Sequence, residues 1–454
     1  MRNLAFAFLP ALMLSAYHAP QAQLSQSVPT EIPAPQPLPE PFRLEDAIRL
    51  SLAEHPAVRR ARAEQARAEA ERRETLASRG FTATAEAHAR YITPNEVAGD
   101  QSHDDGRLTL SLRKPLYDFG RTGHALLAAE AEYQARALGV RNAETTQRLN
   151  VLRRYFDVVE ADLALNIANE GMAIAFIRWD RLQDRRELKQ VSDIDVEEAN
   201  AAFHRWQVRV REAETRQRST RALLANAFNR PTELPSTVEP PLLKGNVRIL
   251  DTFEALLEKA RDNNLELQTL QGRLQAAGHR LQSAKASGNP SLSAQFDTGV
   301  WNRDLGGRDE WAAGLVLKVP LFTGGKTDAR AHRRRAERDR LQADLDAASL
   351  RIRQQVLEAW IAVDVARARL QESQALLDYR DLYLDRSRTL YELEARTDLG
   401  DAMTRWSEAR LAQAKAEHEL AMAFARLDAL TGEPIIERLQ DIGIRTSPPP
   451  PSAE

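Results

Sequence analysis

From Phe81 to Tyr91 every other residue is apolar, and Thr82, Thr84, Glu86, His88 and Arg90 fill the positions between. A period of two predicts a strand with one apolar and one polar face. The same alternation recurs over Leu108, Leu110 and Leu112, over Leu292, Ala294 and Phe296, and over Trp311, Ala313, Leu315, Leu317 and Val319. Elsewhere the period changes. No proline interrupts residues 116–230 or 321–433, and apolar or bulky positions recur every seven residues at Val151, Val158, Leu165, Met172 and Trp179 and at Val356, Val363, Leu370, Leu377 and Leu384. Small residues stand three places after several of these: Ala161, Ala168 and Ala175 in one stretch, Ala359, Ala366 and Ser373 in the other. That combination lets helices approach closely. Each stretch predicts a helical hairpin whose first arm, about Thr122–Leu188 or Lys326–Leu393, would be roughly 100 Å long at 1.5 Å per residue. Such a helix needs neighbours along most of its length, as in a coiled coil or an α-barrel.

The two stretches are copies of one another. PLYDFGR at 115–121 and PLFTGGK at 320–326 lie 205 residues apart, and both close a strand-like run and open a long helical one. Upstream, FRLEDAIRLSLAEHPAV and DTFEALLEKARDNNLEL align at an offset of 209, and the extra four residues fall in turn-rich loops at 93–105 and 302–310, 13 and 9 residues long. The chain therefore divides into a first repeat over 42–231 and a second over 252–434, each reading helix, β-hairpin, long helix, helix. Ahead of them, Arg2 and the apolar stretch from Leu4 to Leu14 predict a secretory signal over residues 1–22, cleaved after Ala22. A Pro-rich leader over 23–41 and a Pro-rich tail over 441–454 favour extended polyproline II.

Composition removes several functions. The 63 Lys and Arg nearly balance 65 Asp and Glu, a formal charge of -2, which argues against nucleic acid as a partner. With 28% charged residues the chain holds no set of helical membrane spans. No cysteine is present, which rules out disulfides, thiolate metal sites, cysteine nucleophiles and a lipidated N-terminal Cys. GGKT at 324–327 imitates the end of a phosphate-binding loop, but Pro320 stands where the first glycine belongs. The nine histidines show no zinc spacing and no nucleophile elbow occurs, so neither an enzyme nor a cofactor is expected. The basic run from Arg330 to Arg340 reads as a solvated helix start or as a contact for lipid phosphates.

Strand-like runs of about 9–11 residues with one apolar face suit an outer-membrane barrel with a wet lumen, and Phe81, Tyr91, Tyr117, Trp301, Trp311 and Phe322 stand where an interfacial aromatic girdle would lie. Two soluble amphipathic hairpins are the alternative. Four strands cannot close around a polar lumen, so a barrel would need several chains.

The duplicated order and the PLYDFGR and PLFTGGK junctions resemble the TolC family of outer-membrane efflux and secretion channels, over about residues 42–434. The resemblance implies a mostly α chain with β, in a homotrimer. Long coiled-coil hairpins would form a periplasmic α-barrel, and four strands per chain would join a twelve-stranded barrel embedded in outer-membrane lipid. It also implies coiled-coil tips that open when a periplasmic adaptor and an inner-membrane transporter dock. The expected function is a passive duct of a tripartite efflux pump or type I secretion system, in the outer membrane and extending into the periplasm. A periplasmic structural coiled-coil or adaptor-like protein is the alternative.

In the family the tip turn reads approximately Gly-x-x-Ser/Thr-x-x-Asp. Here the turns are Lys189 to Asp195, with Ser192, and Glu394 to Gly400, with Thr397. Both family glycines are absent, so the turn is expected to be reshaped or the helix carried further. Gly400 stands where an acid often constricts the channel, with Asp401 beside it. Tyr391 and Arg396 match family positions that bond across the tips to the acid at Asp195 and close the channel.

Overall fold

The computed structural model describes residues 37–94, 96, 99–241, 248–303, 309–393 and 399–435. The signal, most of the leader and the Pro-rich tail lie outside them. In chain order the elements are α1 (Leu44–Glu54), α2 (Pro56–Ala77), β1 (Thr82–Tyr91), β2 (Asp104–Tyr117), α3 (Arg121–Glu187), α4 (Asp193–Ala227), α5 (Phe253–Asn263), α6 (Leu265–Ala286), β3 (Ser291–Trp301), β4 (Trp311–Lys318), α7 (Lys326–Glu392) and α8 (Leu399–Thr431). α3 and α7 have 67 residues each, about 100 Å of helix.

The junction motifs have a conformational reason. Phe119 and Gly120 take φ of 51° and 93°, and Gly324 and Gly325, their counterparts 205 residues on, take 60° and 76°. Two successive left-handed residues swing the chain from strand into helix, a conformation glycine adopts without steric cost. In the first copy Asp118 supports the non-glycine Phe119, because its Oδ2 accepts the Thr122 amide at 2.9 Å and caps the new helix.

The four strands form one antiparallel sheet in the order β1-β2-β3-β4. The helices keep the same order beneath it: α2 packs on α3, α3 on α6 and α6 on α7. Each strand is thus joined to the helix of equal rank. Towards the tips, α4 replaces α2 beside α3, and α8 replaces α6 between α3 and α7. One edge of the chain is β1, α2 and α4; the opposite edge is β4 and α7.

The densest core lies midway along the long helices, where α1 packs on α3 and α5 packs on α7 and α8. Val151, Leu152, Tyr155 and Val158 of α3 meet there with Leu224, Phe228, Val356, Phe424 and Leu427, all with under 2% exposure. Phe42 is buried as well, its ring 5.4 Å from Phe228. The Tyr155 hydroxyl lies 3.0 Å from the Phe42 carbonyl oxygen and 2.6 Å from that of Glu239, and so pins both strands of the Phe42–Val238 bridge. Burial raises its pKa well above the ordinary phenol value, which keeps it a donor. The seven-residue pattern accounts for this core: Val151, Val158, Ala161, Ala168 and Ala175 are buried, as are Val356, Ala359, Val363, Ala366 and Ser373. Among the described residues no helix is long and apolar enough to cross a membrane.

Candidate functional site

The sheet is the first part of the site. Side chains directly opposite in an antiparallel pair share a face, so the register sorts them. Ala85, Leu110, Thr298 and Trp311 form one row; Ala83, Leu112, Phe296 and Ala313 the next; Lys114, Ala294 and Leu315 another. This face is apolar except near its ends and open to the surroundings, with Trp311, Leu315 and Leu317 all more than 60% exposed. The opposite face carries Thr84, Ser111 and Asp297 in one row and Glu86 and Thr109 in its neighbour. Its polar groups bond to one another: Ser111 donates to Asp297 Oδ1 at 2.7 Å and Gln295 donates to Asp297 Oδ2 at 2.9 Å. A contiguous exposed apolar face of this size on a water-soluble chain would be anomalous. β1 and β4 each leave one edge unpaired within the chain.

The tips are the second part. α3 ends in a Schellman turn: the Lys189 amide donates to the Arg186 carbonyl at 2.8 Å and the Gln190 amide to the Arg185 carbonyl at 2.9 Å. Lys189 itself sits at φ 59°. Lysine takes the left-handed conformation that glycine holds more easily, because two backbone bonds secure it. Ser192 then caps α4 in a reciprocal box: the Asp195 amide donates to Ser192 Oγ at 3.3 Å, while Asp195 Oδ2 accepts from the Ser192 amide at 3.0 Å and the Ser192 hydroxyl at 2.6 Å. Those bonds hold the Asp195 carboxyl below the usual aspartate range. Their contribution is present above the unfolded-state pKa and is lost as pH falls through the lowered folded one.

On the second hairpin, Tyr391 lies exposed in the last turn of α7. Glu394, Arg396 and Thr397 lie outside the described residues, so no contact to them is described. Gly400 opens α8 hard against α3, where a Cβ would stand 2.4 Å from Ile174 Cγ2. A side chain in place of Gly400 would meet that methyl and could enter only if Ile174 moved. Its neighbour Asp401 accepts from Arg405 Nε at 2.7 Å, along its own helix. Replacing Gly400 with valine should force α8 from α3 and destabilise the tip by about 1–3 kcal/mol, and Ile174→Ala should restore most of that loss in thermal unfolding. The sequence signal for this contact was the glycine in a helical first turn, where propensity disfavours it.

Comparison with known proteins bears on this geometry. Residues 256–433 match the family model described as outer membrane efflux protein. The outer membrane efflux protein BepC of Brucella suis is 23% identical, over 74% of this chain and 74% of its own length. Protein CyaE of Bordetella pertussis is 26% identical, over 77% of this chain and 74% of its own. Among solved structures, the outer membrane protein VceC of Vibrio cholerae superposes with a TM-score of 0.69, covering 86% of this chain and 96% of that one at 18% identity. The CmeC outer membrane channel of Campylobacter jejuni gives 0.70, covering 88% and 89% at 16% identity. The chain resembles TolC-like outer membrane efflux proteins in sequence and shares their fold.

The fold is thus that of outer membrane channels, in which such strands join a β-barrel and such long helices a helical barrel extending into the periplasm. In a barrel of that kind the apolar rows through Leu110 and Leu315 would meet lipid, and the row through Ser111 and Asp297 the water-filled interior. The family is one of channels and transport proteins, not of enzymes.

Proposed function

We propose that three copies of this chain form a passive duct, the outer-membrane component of a tripartite efflux pump or type I secretion system. The observation that carries this reading is the pair of matched open edges. β1 with α2 and α4 on one side, and β4 with α7 on the other, leave two unlike surfaces that a cyclic arrangement brings together. α7 supplies an exposed apolar stripe for such a contact through Leu350, Ile361, Val365, Tyr379 and Leu382. Three copies provide twelve strands, within the range of outer-membrane barrels. A periplasmic adaptor and an inner-membrane transporter supply the energy and the choice of substrate. The named relatives fit the efflux setting: BepC is an outer membrane efflux protein, and SepC and TtgF of Pseudomonas putida carry efflux-pump names.

The closed state of this duct is a ring of contacts at the tips, in which Arg396 and Tyr391 of one hairpin reach Asp195 of the next. Asp195 Oδ2 is taken by the Ser192 cap, and Oδ1 faces no donor among the described residues. Exposed pairs of this kind are weak and screened by salt, so a docked partner overcomes them readily. In planar bilayers, Asp195→Ala and Arg396→Ala should each raise single-channel conductance, and the double variant should add little to the larger single effect. Conductance unchanged in both, with the oligomer intact, would remove these residues from the gate. Lys189, Ser192, Glu394, Thr397, Gly400 and Asp401 shape the turns that present the pair to an adaptor. A protein released from membranes by salt washing would instead fit the structural coiled-coil alternative.

A further inference from the structure

The upper part of the helical body encloses a cavity of about 230 Å³ to which α2, α3, α6 and α7 all contribute. It lies roughly 10–20 Å along the helices from the strand junctions. Its charged lining consists of five arginines, at 67, 136, 273, 280 and 340, and three glutamates, at 71, 132 and 337. Glu64, beside this lining, takes Arg67 at 2.9 Å and lies 3.6 Å from Arg136, so one positive charge is in surplus.

The arrangement of the carboxylates sharpens this imbalance. The Glu132 side chain, only 10% exposed, is shared by three guanidiniums: Arg136 Nε is 3.0 Å from Oε1, Arg280 Nη2 is 3.1 Å from Oε2, and Arg273 Nε stands at 4.0 Å. Burial alone would raise the Glu132 pKa, but the charges of Arg280 and Arg136 and their hydrogen bonds outweigh it and hold the carboxyl below its usual range. A single carboxylate offers about four lone-pair sites, whereas each guanidinium carries five N–H donors. Donors thus exceed acceptors inside the cavity. Glu337 is already engaged by Arg334 at 2.7 Å, and Glu71 stands 3.9 Å from Arg67. Neither Arg273 nor Arg340 has a carboxylate hydrogen bond among the described residues.

We propose that this cavity is a binding site for a soluble, multiply charged oxyanion of the phosphate type. Planar guanidinium forks match phosphoryl oxygens in pairs, and Glu132 acts as the anvil that holds three of the forks in position. At about 30 Å³ per water the cavity has room for roughly seven waters, enough for a phosphate group with part of its hydration. The site is built from one chain and needs no neighbouring copy. It therefore stands apart from the duct proposed above, and each can fail without the other.

Equilibrium dialysis of the full-length protein in neutral detergent against radiolabelled pyrophosphate, at ionic strength fixed with sodium chloride, tests it. Saturable binding at one pyrophosphate per chain is expected. The Arg273→Gln/Arg340→Gln double variant should bind at least tenfold more weakly, while Arg211→Gln, on the exposed face of α4, should bind as wild type. Arg340→Glu alone, at an exposed position, preserves the fold and should weaken binding severalfold even if the double variant does not fold. No saturable binding by wild type, or equal affinity in wild type and Arg340→Glu, would overturn the site. Channel activity in bilayers, measured separately on wild type, reports on the duct and leaves this result unaffected.

Discussion

Arginine in place of Leu110 or Leu315 will destabilise the membrane-inserted protein by roughly 2–4 kcal/mol, whereas arginine at Thr109 or Gln295 will cost far less. Both leucines lie near mid-strand on the apolar face, Leu110 between Ala85 and Thr298 and Leu315 opposite Ala294. A guanidinium there must sit in hydrocarbon or drag water after it. Thr109 points to the other face, opposite Glu86, where a new arginine gains a carboxylate neighbour and water. Urea unfolding in lipid vesicles reads the difference. Similar losses at Leu110 and Thr109 would mean that the two faces do not separate lipid from water.

Asp428→Ala will cost about 1–3 kcal/mol, the penalty for taking the bidentate partner from a mostly buried arginine that still has Glu433 at 3.6 Å. Asp428 is 1% exposed, and Arg248 grips it with both ends of its fork, Nη1 to Oδ2 at 3.0 Å and Nη2 to Oδ1 at 2.6 Å. Arg248 belongs to the segment between the repeats and also lies 5.0 Å over the Phe424 ring, so the pair fastens that segment to α8. Replacing both partners with apolar residues, Arg248→Met with Asp428→Leu, should recover most of the loss, because the bidentate pair is removed together and Glu433 keeps Lys259 at 3.9 Å. A double variant as unstable as Asp428→Ala in denaturant titration would show that the pair's own attraction, and not the stranded charge, holds the segment.

The strands were legible in the sequence because each meets two different solvents, and that difference is written as alternation along Phe81–Tyr91 and Trp311–Val319. The long helices were legible because no proline interrupts them and because their buried positions repeat at Val151, Val158, Val356 and Val363. What could not be read is whatever joins distant segments. The packing of α3 on α6 depends on contacts between residues more than 100 positions apart, as does the convergence of Arg136 and Arg280 on Glu132. Phe42, at the border of the leader, becomes an anchor only because Thr237 accepts its amide hydrogen at 2.8 Å. At the first tip, residue type alone did not give the turn: two Schellman bonds hold Lys189, a non-glycine, in the left-handed region.

The cyclic joining of β1 to β4 of the next copy is the central claim, and the chain's lack of cysteine makes it directly measurable. Thr84→Cys combined in turn with Ala312→Cys, Gly314→Cys or Val316→Cys places one thiol on each open edge, all on the interior face of the sheet. After oxidation in the membrane, denaturing electrophoresis should show, for at least one combination, covalent species of two and three chains and none larger. Only single chains in every combination, or a ladder running beyond three, would contradict a closed trimeric barrel.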